Sequence, residues 1–188
     1  MRFSQRIGMR PVKDALQIES IDEDLSNRLW NTLLDYFFLR IDNYASLEQE
    51  TKRGLICTII WKEFYKFPID EIPTNRNGNV YISGFIEYVK EWFFKSPWYD
   101  VYDFIEHISY IDDRITKIGF AKECNRVLEK EVSGYRIVNE KVVRITSEEE
   151  VQTIERAITD TDQFKSVNTH LQTALSELAD KKNPNLIK

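Results

Sequence analysis

Residues 133 to 146, SGYRIVNEKVVRIT, constrain the fold more than any other stretch: two alternating, β-branched runs flank Asn139-Glu140 in a chain that otherwise reads as one amphipathic helix after another. Alternation on both sides of a two-residue break is a hairpin pattern. Two strands alone are marginal in water, so the hairpin needs a third strand or a helix to lean on. The segment VKDALQIES offers a strand, with Val12, Leu16 and Ile18 on one face and Lys13, Gln17 and Glu19 on the other. Pairing of residues 12 to 19 with the hairpin gives a three-stranded antiparallel sheet.

The helix signals follow in order. Asp22, Glu23 and Asp24 suit the positive end of a first long helix, whose buried stripe is Leu25, Leu29, Leu33 and Phe37. Leu55, Ile56, Ile59, Ile60, Phe64 and Phe67 predict a second helix that stops near Pro68, and PIDEIPTNRNG is a loop by its Pro, Asn and Gly content. Phe85, Ile86, Val89 and Phe93 mark a third. Ser96 as cap and Pro97 at the first helical position start a fourth, carrying Val101, Phe104, Ile105 and Ile108. Residues 113 to 132 read as a fifth, with Gly134 placed to terminate it in the left-handed conformation. Ser147 and Glu150 have capping-box spacing ahead of Val151, Ile154 and Ile158, and Phe164, Val167, Leu171 and Leu175 stripe the last helix. The sum is an α+β, mainly α domain of about seven helices around a small sheet. Trp30, Phe37, Phe85, Phe93 and Phe104 are its expected core.

Composition narrows the class. The chain of 188 residues is 42% hydrophobic and 30% charged, which fits one soluble globular core. Its formal charge of −5 argues against non-specific nucleic-acid binding by the domain alone, since such binding rests on a Lys/Arg surface. Cys57 and Cys124 have no pairing logic, the N-terminus lacks the apolar run of a signal peptide, and no apolar stretch is long enough to span a bilayer. A cytoplasmic protein is expected. Eleven Phe, nine Tyr and four Trp make the chain rich in rings, either for a bulky core or for a surface that meets a partner.

Reactive groups are sparse. His107 and His170 are the two histidines, and each sits beside an apolar helix position. Asp100, Asp103 and Glu106 precede His107 at helical spacing, a row that reads as a solvated helix face and, in the alternative, as a cation or catalytic site. Asp112 and Asp113 suit a helix start. No nucleophile elbow, phosphate loop, zinc-protease or dinucleotide motif occurs, so no catalytic residue, metal ligand or cofactor is nominated. In PWYDVYDFIEHI, the rings of Trp98, Tyr99 and Tyr102 lie beside Val101, Phe104 and Ile105. Either this helix is central and contacted on two sides, or its rings form an anchor patch. Trp98, Tyr99 and Tyr102, with Asp103 and Arg6, are the candidate partner-binding residues.

RIGMRPVKDALQIESIDEDLSNRLWN at 6 to 31, SPWYDVYDFIEHI, SGYRIVNEKVVRIT with SEEE, and HLQTALSELADKKNP at 170 to 184 occur together in this order. In them the chain resembles the fourth N-terminal domain family of AbiJ-type abortive-infection proteins, which are bacterial phage-defence components. The resemblance implies an N-terminal domain over residues 1 to 184, with 185 to 188 a tail at the junction where a helical HEPN domain would follow. Active HEPN domains cleave RNA with an Arg placed shortly before a His. Neither His107 nor His170 has an Arg four to seven residues before it, so no ribonuclease residue carries over. The expected role is a non-enzymatic sensing or regulatory module whose partners are a protein, such as that effector domain, and a phage or host trigger, with room for a homodimer. The alternative is a toxin-like enzyme acting on RNA or nucleotides through Asp100, Asp103, Glu106 and His107, or through the basic arm Arg2, Arg6 and Arg10.

Overall fold

A computed structural model describes residues 3–9, 15–39, 47–112 and 119–144. Among these residues the elements are α1 (Phe3–Arg6), α2 (Glu23–Thr32), α3 (Leu47–Ile59), α4 (Ile82–Lys95), α5 (Trp98–Ile111), α6 (Phe120–Lys130), β1 (Tyr135–Val138) and β2 (Lys141–Arg144). The fold is α+β and mainly α, with a two-stranded antiparallel sheet. Residues 12–14 of the expected strand, residues 113–118 of the expected fifth helix and both helices expected after residue 146 lie outside the described residues.

α2 starts as its sequence dictates: the Leu25 N–H donates to Asp22 Oδ1 (2.9 Å), so Asp22 is the N-cap and Glu23 and Asp24 fill the first turn. Its stripe of Leu25, Leu29, Leu33 and Phe37 is fully buried. Both α2 and α3 run on into π-helical turns, Leu33–Phe38 and Ile60–Phe64, closed by bonds from Leu39 N–H to Leu34 O (2.8 Å) and from Tyr65 N–H to Ile60 O (3.2 Å). A π turn accommodates one extra residue and re-aims the stripe beyond it. Along α3 and its π turn, Ile56, Cys57, Ile60 and Trp61 are buried, while Leu55 and, beyond the turn, Phe67, both expected inward, are exposed. The Trp61 indole donates to Pro68 O (2.9 Å), fixing the chain where that helix stops.

Ser96 does not cap the fourth helix. Its hydroxyl donates back to Trp92 O (2.8 Å) and closes α4, and Pro97 takes the N-cap position of α5. The fifth helix begins later than expected, at Phe120, and its N-terminus is capped from a distance: Asp112 Oδ2 accepts from Gly119 N–H (2.9 Å) and Phe120 N–H (2.7 Å). Asp112 thus serves a helix start, but from the end of α5. At the other end of α6, Ser133 N–H donates to Leu128 O (2.8 Å) and Val132 N–H to Glu129 O (3.0 Å), the bond pair of a Schellman cap. The left-handed residue is Val132 (φ 56°), not Gly134. Gly134 is small for another reason: a Cβ there would lie 3.1 Å from Ile18 Cγ1 and 3.3 Å from Leu16 Cδ2.

The hairpin turns through Asn139 (φ 47°) and Glu140 (φ 66°), the positive-φ pair of a type I′ turn, and pairs Tyr135 with Arg144 and Ile137 with Val142. Among the described residues of the expected third strand, 15–19, the pairing is one parallel bridge between Gln17 and Ser133. The alternation there is inverted, with Gln17 buried and Leu16 exposed. The reason is hydrogen bonding: the Gln17 side chain donates to Glu131 O (2.7 Å) and accepts from Asp22 N–H (2.8 Å), so burying it leaves no polar group unpaired.

Helices supply what a third strand would have. Asn125 on α6 brackets one residue of β1, its Nδ2 donating to Ile137 O (2.7 Å) and its Oδ1 accepting from Ile137 N–H (2.7 Å). Glu106 on α5 closes the opposite edge, Oε2 accepting from Val142 N–H (2.8 Å) and Oε1 from Lys141 Nζ (3.0 Å). Ile137 and Val142 face each other with backbone groups directed outward, as in a non-hydrogen-bonded antiparallel pair, and each finds a side chain there.

The ring-rich composition goes chiefly into the core. Phe64 meets Phe104 (5.0 Å) and Trp92 (5.3 Å), Trp61 meets Tyr88 (5.0 Å), and Trp30 meets Phe93 (5.7 Å), mostly in tilted or edge-on geometry. All five expected core residues, Trp30, Phe37, Phe85, Phe93 and Phe104, are 5% exposed or less. Phe37→Ala and Phe104→Ala are each expected to cost roughly 3–5 kcal/mol in urea unfolding. Asn125→Leu and Asn125→Asp are each expected to cost about 1–3 kcal/mol by the same measurement. Leucine offers Ile137 nothing, and aspartate keeps the acceptor while losing the donor.

Candidate functional site

α5 carries most of the residues singled out in the sequence. Its apolar face, with Val101, Phe104, Ile105, Ile108 and Ile111, is buried, and so is Tyr102, so the helix is contacted on two sides. The Tyr102 hydroxyl shares a 2.7 Å hydrogen bond with Ser133 Oγ, and burial pushes its pKa well up, so it stays a neutral phenol. Trp98 is half-buried and stacks on Tyr135 (5.9 Å), whose ring also meets Tyr102 (4.8 Å). Tyr99 and Asp103 are exposed, as is Arg6 at the end of α1.

A shallow depression of about 500 Å³ lies where the second π turn, α5 and the hairpin turn meet. Asp103, Glu106 and His107 line it, together with Glu63, Lys66 and Glu140. Asp100 and Arg6 do not. Lys66 and Glu140 both stand at positive φ (56° and 66°), a conformation that costs non-glycine residues about 1–2 kcal/mol. Sequence reasoning found the α5 side of the depression through its helical spacing. It missed Glu63, Lys66 and Glu140, because nothing local in the sequence says that the π turn and the hairpin tip converge on α5.

The electrostatics of this wall follow from its neighbours. Asp103 has its pKa raised, by desolvation first and then by the like charges of Asp100 and Glu106. Glu106 is committed to Val142 N–H and Lys141 and anchors the hairpin. His107 has its pKa lowered by burial against the Phe64 ring (5.5 Å), an effect that Glu63 partly opposes, and its Nε2 is buried with no hydrogen-bond partner. The imidazole is thus held neutral. Cys124 is fully buried and its thiol is pushed up by that burial, which makes it inert as a nucleophile. Among the described residues no group of His, Cys, Asp and Glu is arranged to hold a metal ion. No helix among them is long and apolar enough to cross a membrane.

The AbiJ N-terminal domain 4 family matches residues 1–160. The chain belongs to that family. No curated protein and no solved structure matches it. As an AbiJ N-terminal domain, the chain is a module of abortive-infection proteins, and two of the segments quoted above for the resemblance fall on its structural joints. SPWY supplies the α4–α5 junction and the rings under Tyr135, and SGY supplies the bridge to Gln17.

The depressed pKa of His107 has a definite sign. A histidine that resists protonation when folded binds fewer protons than in the unfolded chain, so stability falls as pH drops through its unfolded pKa of about 6.5. Thermal unfolding at pH 7.5 and pH 5.5 is expected to show a drop in Tm that is smaller in His107→Leu than in the parent. An equal drop in both would mean that His107 is not held neutral by the fold.

Proposed function

We propose that this AbiJ-family domain is a non-enzymatic sensing and regulatory module of an abortive-infection protein, acting through protein contacts on an effector domain that follows it. The observation that carries the reading is how four reactive side chains on and around α5 and α6 are employed. Glu106 holds the edge of β2, Asp112 caps α6, Ser133 is bonded to Tyr102, and Cys124 is sealed in the core. A general base or nucleophile has to be within reach of a substrate and poised to change partners. These groups are spent on joints of the fold.

A toxin-like enzyme is the competing reading, and the shared depression of Asp103, Glu106 and His107 is the place where it would act. The purified chain is expected to leave cellular RNA and nucleoside triphosphates unchanged with Mg²⁺ or Mn²⁺ present, followed by gel and by phosphate release. Turnover that disappears in Asp103→Ala or His107→Ala would overturn the regulatory reading and put an active site in that depression.

A further inference from the structure

Residues 15–20, ALQIES, run across the junction between α6 and β1 with one buried side chain. Gln17 is 8% exposed, whereas Ala15, Leu16, Glu19 and Ser20 are exposed and Ile18 is half-buried. Gln17 ties the segment to this junction through both its backbone and its side chain. Gln17 N–H donates to Val132 O (3.0 Å), Gln17 O accepts from Gly134 N–H (2.9 Å), and the carboxamide spans Glu131 O and Asp22 N–H. Gly134 lets the segment lie close, as its missing Cβ leaves room for Leu16 and Ile18. The hairpin has other supports that do not involve residues 15–20: the β1–β2 ladder, Asn125 on Ile137, Glu106 on Val142 and the side-chain bond from Tyr102 to Ser133.

We infer that residues 15–20 are a displaceable strap over a strand-receiving edge at Glu131–Gly134, and that an extended, glutamine-bearing peptide segment of a protein partner takes its place. Local openings of this kind draw on segments with few buried apolar contacts, and an opened edge is where strand addition occurs. The edge dictates the chemistry of the occupant, whose pattern the strap itself displays. Val132 O and Gly134 N–H receive one residue of a parallel strand, as they receive Gln17. Glu131 O requires a donor and Asp22 N–H an acceptor from the same side chain, which a carboxamide provides and a carboxylate does not. The inference rests on the sensing role proposed above and gives that role a partner class and a surface.

Hydrogen exchange on the intact chain tests the opening directly. The Gln17 and Gly134 amides are expected to be at least about 100-fold less protected than those of Leu29 and Phe104, which exchange only with the whole fold. Equal protection would mean that the strap leaves only on global unfolding, and would overturn the inference. A fluorescein-labelled peptide with the sequence of residues 14–20, DALQIES, then reads the edge by anisotropy. It is expected to bind Gln17→Ala about 10-fold more tightly than the parent, because the competing strap is weakened. The same peptide with glutamate for glutamine is expected to lose at least about 10-fold. Absence of binding to a folded Gln17→Ala, or indifference to the glutamate, would overturn it. So would a Gln17→Ala chain that has lost its circular dichroism, since a strap that a ligand removes cannot be what holds the domain together. Turnover in the assay above beside an opening strap would sink the regulatory role alone, whereas silence there beside a locked strap would sink the strap alone.

Discussion

Two short strands have a single ladder between them, and their outward backbone groups must go somewhere. Much of this domain is organised around that demand. Asn125 presents both halves of its carboxamide to Ile137, as a neighbouring strand would, and Glu106 takes the Val142 N–H from the opposite side. Each reaches the sheet from a long helix, so α5 and α6 have to flank the hairpin for the sheet to close. Edges blocked by side chains are also poor templates for pairing with another copy of the chain. The same two residues therefore hold the sheet up and limit its growth.

Much of this plan was legible in the sequence, and the exceptions share one cause. Leu25, Leu29, Leu33 and Phe37 have the four-residue spacing of a buried stripe, and the structure buries all four. The hairpin and its two-residue turn were written in the alternation around Asn139-Glu140. The errors came where a residue served a different partner from the one its local pattern pointed to. Gln17 looked like the solvent side of a strand, yet its carboxamide finds partners at Glu131, far along the chain, and at Asp22. Gly134 looked like a helix terminator, but Val132 takes that conformation and Gly134 is needed for close approach. Ser96 looked like a cap for the helix ahead and closes the one behind. A hydroxyl or carboxamide has several satisfactory partners, and sequence alone does not say which will be near.

The candidate site divides in the same way. Asp103, Glu106 and His107 were visible as one helical face, because three- and four-residue spacing is local. That Glu106 is occupied by β2 and that Glu63, Lys66 and Glu140 complete the wall depends on how the π turn and the hairpin approach α5. Trp98 and Tyr102 were singled out for their rings. Those rings pack on Tyr135, where the hairpin enters the sheet, and Tyr99 alone of the three stands well out in solvent.

The linked rings also give the domain an optical character. Each Trp has at least one ring neighbour at close range: Phe93 for Trp30, Tyr88 for Trp61, Phe104 for Trp92 and Tyr135 for Trp98. Chromophores fixed at such separations and tilts sit in asymmetric surroundings, and that is the condition for near-ultraviolet circular dichroism, a signal lost when packing loosens even if helices persist. Light absorbed by Tyr88 or Tyr135 also has an indole within about 6 Å to receive it, since the longer of the two centroid distances is 5.9 Å. The four indoles are spread over α2, the second π turn, α4 and the start of α5, so the chain carries its own reporters of tertiary order.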